Sequence, residues 1–336
     1  MPNVRLKIIV ESNVPYLEVL DRVADVERLP YGEITREAVR DADALIVRTR
    51  NRCDRSLLEG SKVRFIATAT IGTDHIDLDW CRANGIEVYN APGSNAPAVA
   101  QYVFSSLMRL VSRPLKSYTL GIVGVGHVGG IVDRWARSMG MTTLLCDPFL
   151  NYEATLADLA HNADIITFHT PLTDDGPYPT YHLAGENFFN NLRRAPIIIN
   201  SARGAVVDNA VWADALEAGV CGPAIVDCWE NEPDINFRLL DKAVIATPHI
   251  AGYSIEGKKR ASQMALDALC RHFGVGPLTI DAELPQECAA TITPVVALKG
   301  YNPLDDTAAL KAHPEDFEKL RNNYILRHEL SEALEN

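Results

Sequence analysis

The sequence predicts an α/β fold built on two doubly wound parallel sheets. Three observations carry that expectation. Short apolar runs recur between charged, helix-like stretches. The runs are continuous rather than alternating, as strands covered on both faces require. Strand-like and helix-like segments then alternate at spacings that suit parallel strands joined by right-handed crossovers. A chain of 336 residues with 47% hydrophobic content can support about two such domains.

The first unit is read from LKIIV (6–10), ALIV (44–47), VRFIAT (63–68) and IEVYN (86–90) as strands. YLEVLDRV and SLLEG between them read as helical pieces. The turn-rich APGSNAP (91–97) closes this part, so residues 1–96 are expected to form the first part of one α/β domain. AVAQYVFSSLMRLVSR (98–113) is then a packed helix, with Tyr102, Phe104, Leu107 and Leu110 as its apolar positions.

The second unit, 97–252, opens on TLGIVGVGHVGG (119–130). Its further strands are TTLLCD, DIITFHT, APIIIN, GPAIVD and AVIATP. IVDRWARSM, TLADLAHN and NAVWADALEAG are its helices. A helix-compatible stretch from 253 to 280 is expected to return to the first domain. Residues 281–336 change character and end in a charged run. There Phe317, Leu320, Tyr324 and Leu326 suit one apolar helix face, and the region is expected to cap the fold or to mediate dimerisation.

Composition narrows the function. The net charge is -12 with no basic block, which argues against a nucleic-acid partner. A small anionic substrate stays open, because one local arginine can bind it. Seven cysteines lie without CxxC or ligand-like spacing, so a reducing compartment and no metal are expected. The first residues, MPNVRLKIIVESNVP, carry no long apolar region, and no apolar run approaches a membrane span. The expectation is a cytoplasmic protein with no membrane partner.

The chemistry sits at strand ends. Gly124, Gly126 and Gly129 form a G-x-G-x-x-G turn directly after a strand and before a helix. Gly124 permits the turn, Gly126 admits a pyrophosphate, and Gly129 lets the helix pack close. Asp147 ends the next strand, 18 residues beyond Gly129. Its carboxylate can accept bonds from a ribose diol and repels a 2'-phosphate, which favours NAD over NADP. Thr170 follows a third strand and can reach a ribose or phosphate, or simply form a turn before proline. His169 beside it reads more readily as structural.

Arg203, Glu232 and His249 follow three later strands, with spacings of 29 and 17 residues. In a doubly wound sheet such ends converge on one edge. A histidine can take the hydroxyl proton while hydride leaves a secondary alcohol. A glutamate beside it would orient the ring and favour the protonated form. An arginine can clamp a carboxylate with a planar fork. Glu230 competes with Glu232 on sequence alone. Asp227, ending an apolar strand, is either cofactor-facing or structural. Arg48 and Arg50 could supplement Arg203 in holding an anion.

GVGHVG, CDP, FHTPL, NSARG, DCWENEP and TPHIAGY together resemble the D-isomer-specific 2-hydroxyacid dehydrogenases. The resemblance implies two Rossmann-like domains, one for cofactor and one for substrate, with a C-terminal α/β dimerisation extension. It implies NAD as cofactor and Arg203, Glu232 and His249 as the catalytic set. Cofactor contacts would fall on Gly124, Gly126, His127, Val128, Gly129, Asp147, Thr170, Ser201, Ala202, Arg203, Asp227 and Gly252, and substrate contacts on Thr49, Thr70, Arg203 and Tyr253.

A narrower likeness within that family rests on ATATIGTDHID, APGSNA, HTPLTDDGPYPTYHLA and DFEKLRNNY. It implies a phosphorylated 2-hydroxy acid as substrate, a homodimer, and a 2-oxo acid that could reoxidise the cofactor. Two readings compete: a phosphoglycerate or hydroxypyruvate dehydrogenase or reductase, and a dinucleotide-sensing binding module.

Overall fold

The computed structural model of the chain describes residues 5–330. These divide into two compact units. One runs to Asn95 and adds Ile255–Gln286; the other comprises Ala96–Ser254 and the residues from Glu287 onward. Both are parallel α/β sheets of the Rossmann-like kind.

In the first unit the strands are β1 (Leu6–Glu11), β2 (Ala24–Leu29), β3 (Ala44–Val47), β4 (Phe65–Thr68) and β5 (Glu87–Tyr89), in the spatial order β2-β1-β3-β4-β5. All pair in parallel. Ile8, Val10 and Phe65 pack on one face against Ala265, Leu266 and Leu269 of the helix Ile255–Phe273. Ile9, Leu45, Val47 and Ile66 fill the other face with Leu57, Leu58 and Cys81. The unbroken apolar runs are thus buried on both sides. β2 is the strand that the sequence pattern missed. It is an edge strand, and its Asp25, Glu27 and Arg28 stay solvated, so it lacks an apolar run. YLEVLDRV supplies a 3-10 turn, Glu18–Arg22, rather than an α-helix.

The second unit has β6 (Thr119–Val123), β7 (Thr142–Cys146), β8 (Ile165–Phe168), β9 (Ile197–Asn200), β10 (Ala224–Val226) and β11 (Ile245–Ala246). Their order is β11-β10-β9-β8-β6-β7. β6 therefore lies between β7 on one side and β8 on the other, and the sheet reverses its winding there. Ligands of such sheets bind at the carboxyl ends of the strands beside this reversal. Several helix starts are locally specified. Thr155 and Asp158 form a reciprocal capping box, and Asp208 accepts from Ala210 N and Val211 N. The helix Ala96–Leu107 is buried on every face, Gln101, Ser105 and Ser106 included.

The tail is built into this second unit. Its helices are Pro294–Gly300, Pro303–Ala312 and Phe317–Asn322. Val296, Ala297 and Tyr301 join one core cluster, Leu310 and Phe317 another. Trp135 Nε1 donates to Ala289 O at 2.8 Å, and Ser105 Oγ donates to Ala297 O at 2.7 Å. The charged run is not one long amphipathic helix. It stops at Asn322, and the chain runs on to a bridge between Ser254 and Arg327, with the Arg327 side chain buried. The expected helix beyond 330 lies outside the described residues. No helix among the described residues is long and apolar enough to cross a membrane.

Candidate active site

The glycine turn joins β6 to the helix His127–Ser138. Gly124 has φ +84°, open to glycine at little cost. A Cβ on Gly129 would collide with the Gly124 carbonyl, whereas one on Gly126 would meet nothing within 4 Å. The turn is therefore tight underneath and open above, which is the shape a pyrophosphate needs at a helix N-terminus. Gly126 and His127 are exposed, and Val128 is half-buried.

Asp147 stands half-buried at the end of β7. Its Oδ2 accepts from Val125 N at 2.9 Å and its Oδ1 from Phe149 N at 3.1 Å. Beyond β8 and β9, three buried polar atoms have no hydrogen-bond partner among the described residues: His169 Nδ1, Thr170 Oγ1 and Ser201 Oγ. Buried polar atoms are rarely left unpaired. Their place just past the carboxyl ends of β8 and β9 fits a ligand rich in hydroxyl and phosphate groups. Burial pushes the His169 ring down to about 3, so it is neutral there.

Two strands further on, His249 Nδ1 lies 3.0 Å from Glu232 Oε1 and 2.8 Å from Oε2. An ionised carboxylate can only accept, so Nδ1 carries the proton and Nε2 is the basic nitrogen of the neutral ring. The histidine side chain is 28% exposed and the glutamate 16%. Burial works against the Glu232 charge. The His249 contact, the Trp229 N–H at 2.9 Å and the nearby Arg321 nonetheless hold it below the usual glutamate range. Glu230 is settled elsewhere: its Oε1 meets His182 Nε2 at 2.7 Å and its Oε2 accepts from Asn209 N at 2.8 Å.

The backbone at His249 is left-handed, φ 56°. The 247–251 loop holds it there through Asp227. Asp227 Oδ1 accepts from Thr247 Oγ1 at 2.7 Å and Ile250 N at 2.8 Å; Oδ2 accepts from Ala251 N at 3.0 Å. Tyr102 extends the network, its hydroxyl 2.8 Å from Thr247 Oγ1. Burial raises the Asp227 carboxyl, and His249 together with these donors offsets part of that. Both Asp227 oxygens thus accept bonds from the histidine loop.

Arg203 opens the turn Gly204–Val206 after β9, and its Nη1 donates to Ala202 O at 2.8 Å. A Cβ on Gly204 would strike the Trp229 carbonyl, so this turn and the Glu232 loop approach closely. Arg203 and Arg321 both draw on the buried Cys228 thiol, which burial foremost and then Asp227 and Glu232 keep well above its ordinary range. Gly252 is half-buried, and the Tyr253 hydroxyl accepts from Arg321 Nε at 3.3 Å. Sequence reasoning missed Tyr102, Thr247, Trp229 and Arg321. Only their burial or long-range contacts mark them.

In the first unit, Thr49 is exposed just after β3, and Thr70 Oγ1 lies 2.6 Å from Thr68 Oγ1 beyond β4. Glu11 takes the Arg48 backbone N–H at 2.7 Å, and the Arg50 guanidinium stands 5.0 Å from the Tyr31 ring centre. Lys258 is pushed down to about 8, chiefly by burial and secondarily by Arg48.

A reversal-point glycine turn, an acidic strand end and a histidine–glutamate pair on one sheet define a class: a nicotinamide-dinucleotide-dependent dehydrogenase. Residues 94–251 match the D-isomer specific 2-hydroxyacid dehydrogenase, NAD binding domain. The erythronate-4-phosphate dehydrogenase of Bacteroides thetaiotaomicron is 47% identical over 338 residues, covering 96% of this chain and 97% of its own. That of Porphyromonas gingivalis is 42% identical, covering 95% and 92%. Among solved structures, the NAD-bound 3-phosphoglycerate dehydrogenase of Entamoeba histolytica superposes with a TM-score of 0.69 at 26% identity, over 84% of this chain and all of its own. The chain belongs to the erythronate-4-phosphate dehydrogenases, within the D-isomer-specific 2-hydroxyacid dehydrogenases.

Proposed function

We propose that the chain oxidises 4-phospho-D-erythronate to (R)-3-hydroxy-2-oxo-4-phosphooxybutanoate with NAD, in the biosynthesis of pyridoxal 5'-phosphate (vitamin B6). The observation that carries this reading is the extent of the likeness: it spans 96% of the chain, where the solved phosphoglycerate enzyme is matched over 84%.

The protein's own groups have separable tasks. His249 Nε2 takes the proton of the C2 hydroxyl. Glu232, already hydrogen-bonded to Nδ1, orients the ring and stabilises the imidazolium as it forms. Arg203 holds the substrate carboxylate, with Thr49, Thr70 and Tyr253 as further contacts. Gly124, Gly126, His127, Val128 and Gly129 cradle the cofactor pyrophosphate. Asp147 takes the adenosine ribose, while Thr170, Ser201, Ala202, Arg203, Asp227 and Gly252 line the remainder. NAD, when bound, accepts the C2 hydride. The protein acts as a cytoplasmic homodimer, and a 2-oxo acid can return the cofactor to its oxidised form.

The test is a substrate panel read by nicotinamide absorbance, with and without a 2-oxo acid acceptor. Substrate-dependent reduction with 4-phospho-D-erythronate, well above that with 3-phosphoglycerate or glycerate, supports the reading. The reverse preference would replace it with a phosphoglycerate or hydroxypyruvate enzyme. Binding of NAD with no oxidation of any 2-hydroxy acid would leave a dinucleotide sensor.

A further inference from the structure

The tail segment DFEKLRNNY (316–324) reaches the histidine–glutamate pair. Phe317 is fully buried in the core and anchors the helix Phe317–Asn322. Arg321 projects from that helix with Nη1 3.7 Å from Glu232 Oε2, the oxygen nearest His249. Its Nε donates to the Tyr253 hydroxyl at 3.3 Å. The Arg321 side chain is only 16% exposed. Burial opposes its charge, and the Tyr253 and Glu232 contacts more than offset that. One guanidinium therefore touches both the carboxylate that orients the proposed base and a tyrosine proposed to meet substrate.

The buried Asp227 carboxylate and Cys228 thiol face the pair from the segment after β10, and Arg203 acts on that thiol from the turn after β9. Glu318, one helical turn before Arg321, lies 3.6 Å from Nη1 and tempers its charge. Arg327 points the other way, donating to the Ile250, Ala251 and Ala98 carbonyls.

We propose that Arg321 is a positioning residue of the reaction: it fixes the Glu232 carboxylate against His249, balances the charge that the pair presents, and holds the Tyr253 hydroxyl. The tail is then part of the working site as well as of the core. This rests on the reading of His249 as the proton acceptor. The sign follows from charge. A cation beside Glu232 disfavours an extra proton on the pair. Without it the imidazolium is held more firmly, and oxidation, which starts from the neutral ring, needs a higher pH.

The experiment compares Arg321→Gln and Arg321→Lys in the full chain with NAD bound. Two readouts are followed: the pH profiles of kcat and KM, and the ring titration of His249 by NMR. Arg321→Gln is expected to lower kcat roughly 10-fold or more at neutral pH. Its acid limb and ring titration should both move upward by on the order of one pH unit. Arg321→Lys should return the limb towards its original place while kcat stays reduced, because an ammonium cannot reproduce a planar fork. NAD affinity should hold in both. Equal losses in the two variants with an unmoved ring titration would overturn the proposal and leave Arg321 a packing residue. The NMR arm needs no substrate. Inactivity towards 4-phospho-D-erythronate would therefore contradict the proposed reaction and leave this test intact.

Discussion

His249 turns Nδ1 to Glu232, 2.8 Å from Oε2, and thereby leaves Nε2 as the basic nitrogen of the ring. The glutamate thus fixes both the tautomer and the direction of the ring. Its own charge is held by His249, Trp229 N–H and Arg321 against the cost of burial.

Glu232→Gln keeps an acceptor and removes the charge. Imidazolium formation then loses its partner, so kcat should fall by about 10²–10⁴ and the acid limb should move to lower pH, opposite to the Arg321→Gln shift. The stability effect has a definite sign. The Glu232 carboxyl is lowered in the folded state, so its contribution is present above the ordinary glutamate range and lost as pH falls through the lowered value. Denaturant midpoints should show a deficit for Glu232→Gln at neutral pH that closes in acid. A deficit independent of pH would mean that the contact contributes through shape alone.

The two glycines of the turn should separate folding from binding. Gly126→Val places its side chain in open space, so the melting temperature should change little while NAD affinity falls at least about 10-fold, or about 1.4 kcal/mol. Gly129→Val drives into the Gly124 carbonyl and should destabilise the unit as well. Calorimetry with an NAD titration reads both. Unchanged affinity in Gly126→Val would move the pyrophosphate elsewhere.

Asp227→Asn tests the loop brace. An amide offers one acceptor where the carboxylate satisfies Thr247, Ile250 and Ala251 through two oxygens. At least one buried N–H loses its partner, at a cost of about 1–3 kcal/mol. Activity should fall with stability, since the same bonds hold His249 at φ 56°. Full stability with weakened NAD binding would instead give Asp227 a cofactor role.

Much of this was legible in the sequence because chemistry sits at strand ends. The strands β6 to β11 are apolar runs, and the residue just past each run is a site candidate by position alone. Gly124, Asp147, Thr170, Arg203 and His249 are nominated by lying within three residues of such a run. Glu232 was not separable from Glu230, because both follow β10 and only the fold sends one to His249 and the other to His182. β2 was hidden by the charges on its open side. Arg321 was hidden most deeply. It lies 89 residues beyond Glu232, in a run whose charges read as a solvated helix face, and burial of its side chain is a tertiary event that no local pattern encodes.

The most direct measurement is single-turnover reduction of bound NAD by 4-phospho-D-erythronate in His249→Ala against the unaltered chain. His249→Ala should bind NAD with unchanged affinity and reduce it about 10²–10⁴ times more slowly. Reduction at the original rate, with substrate and NAD both bound, would show that His249 does not take the proton.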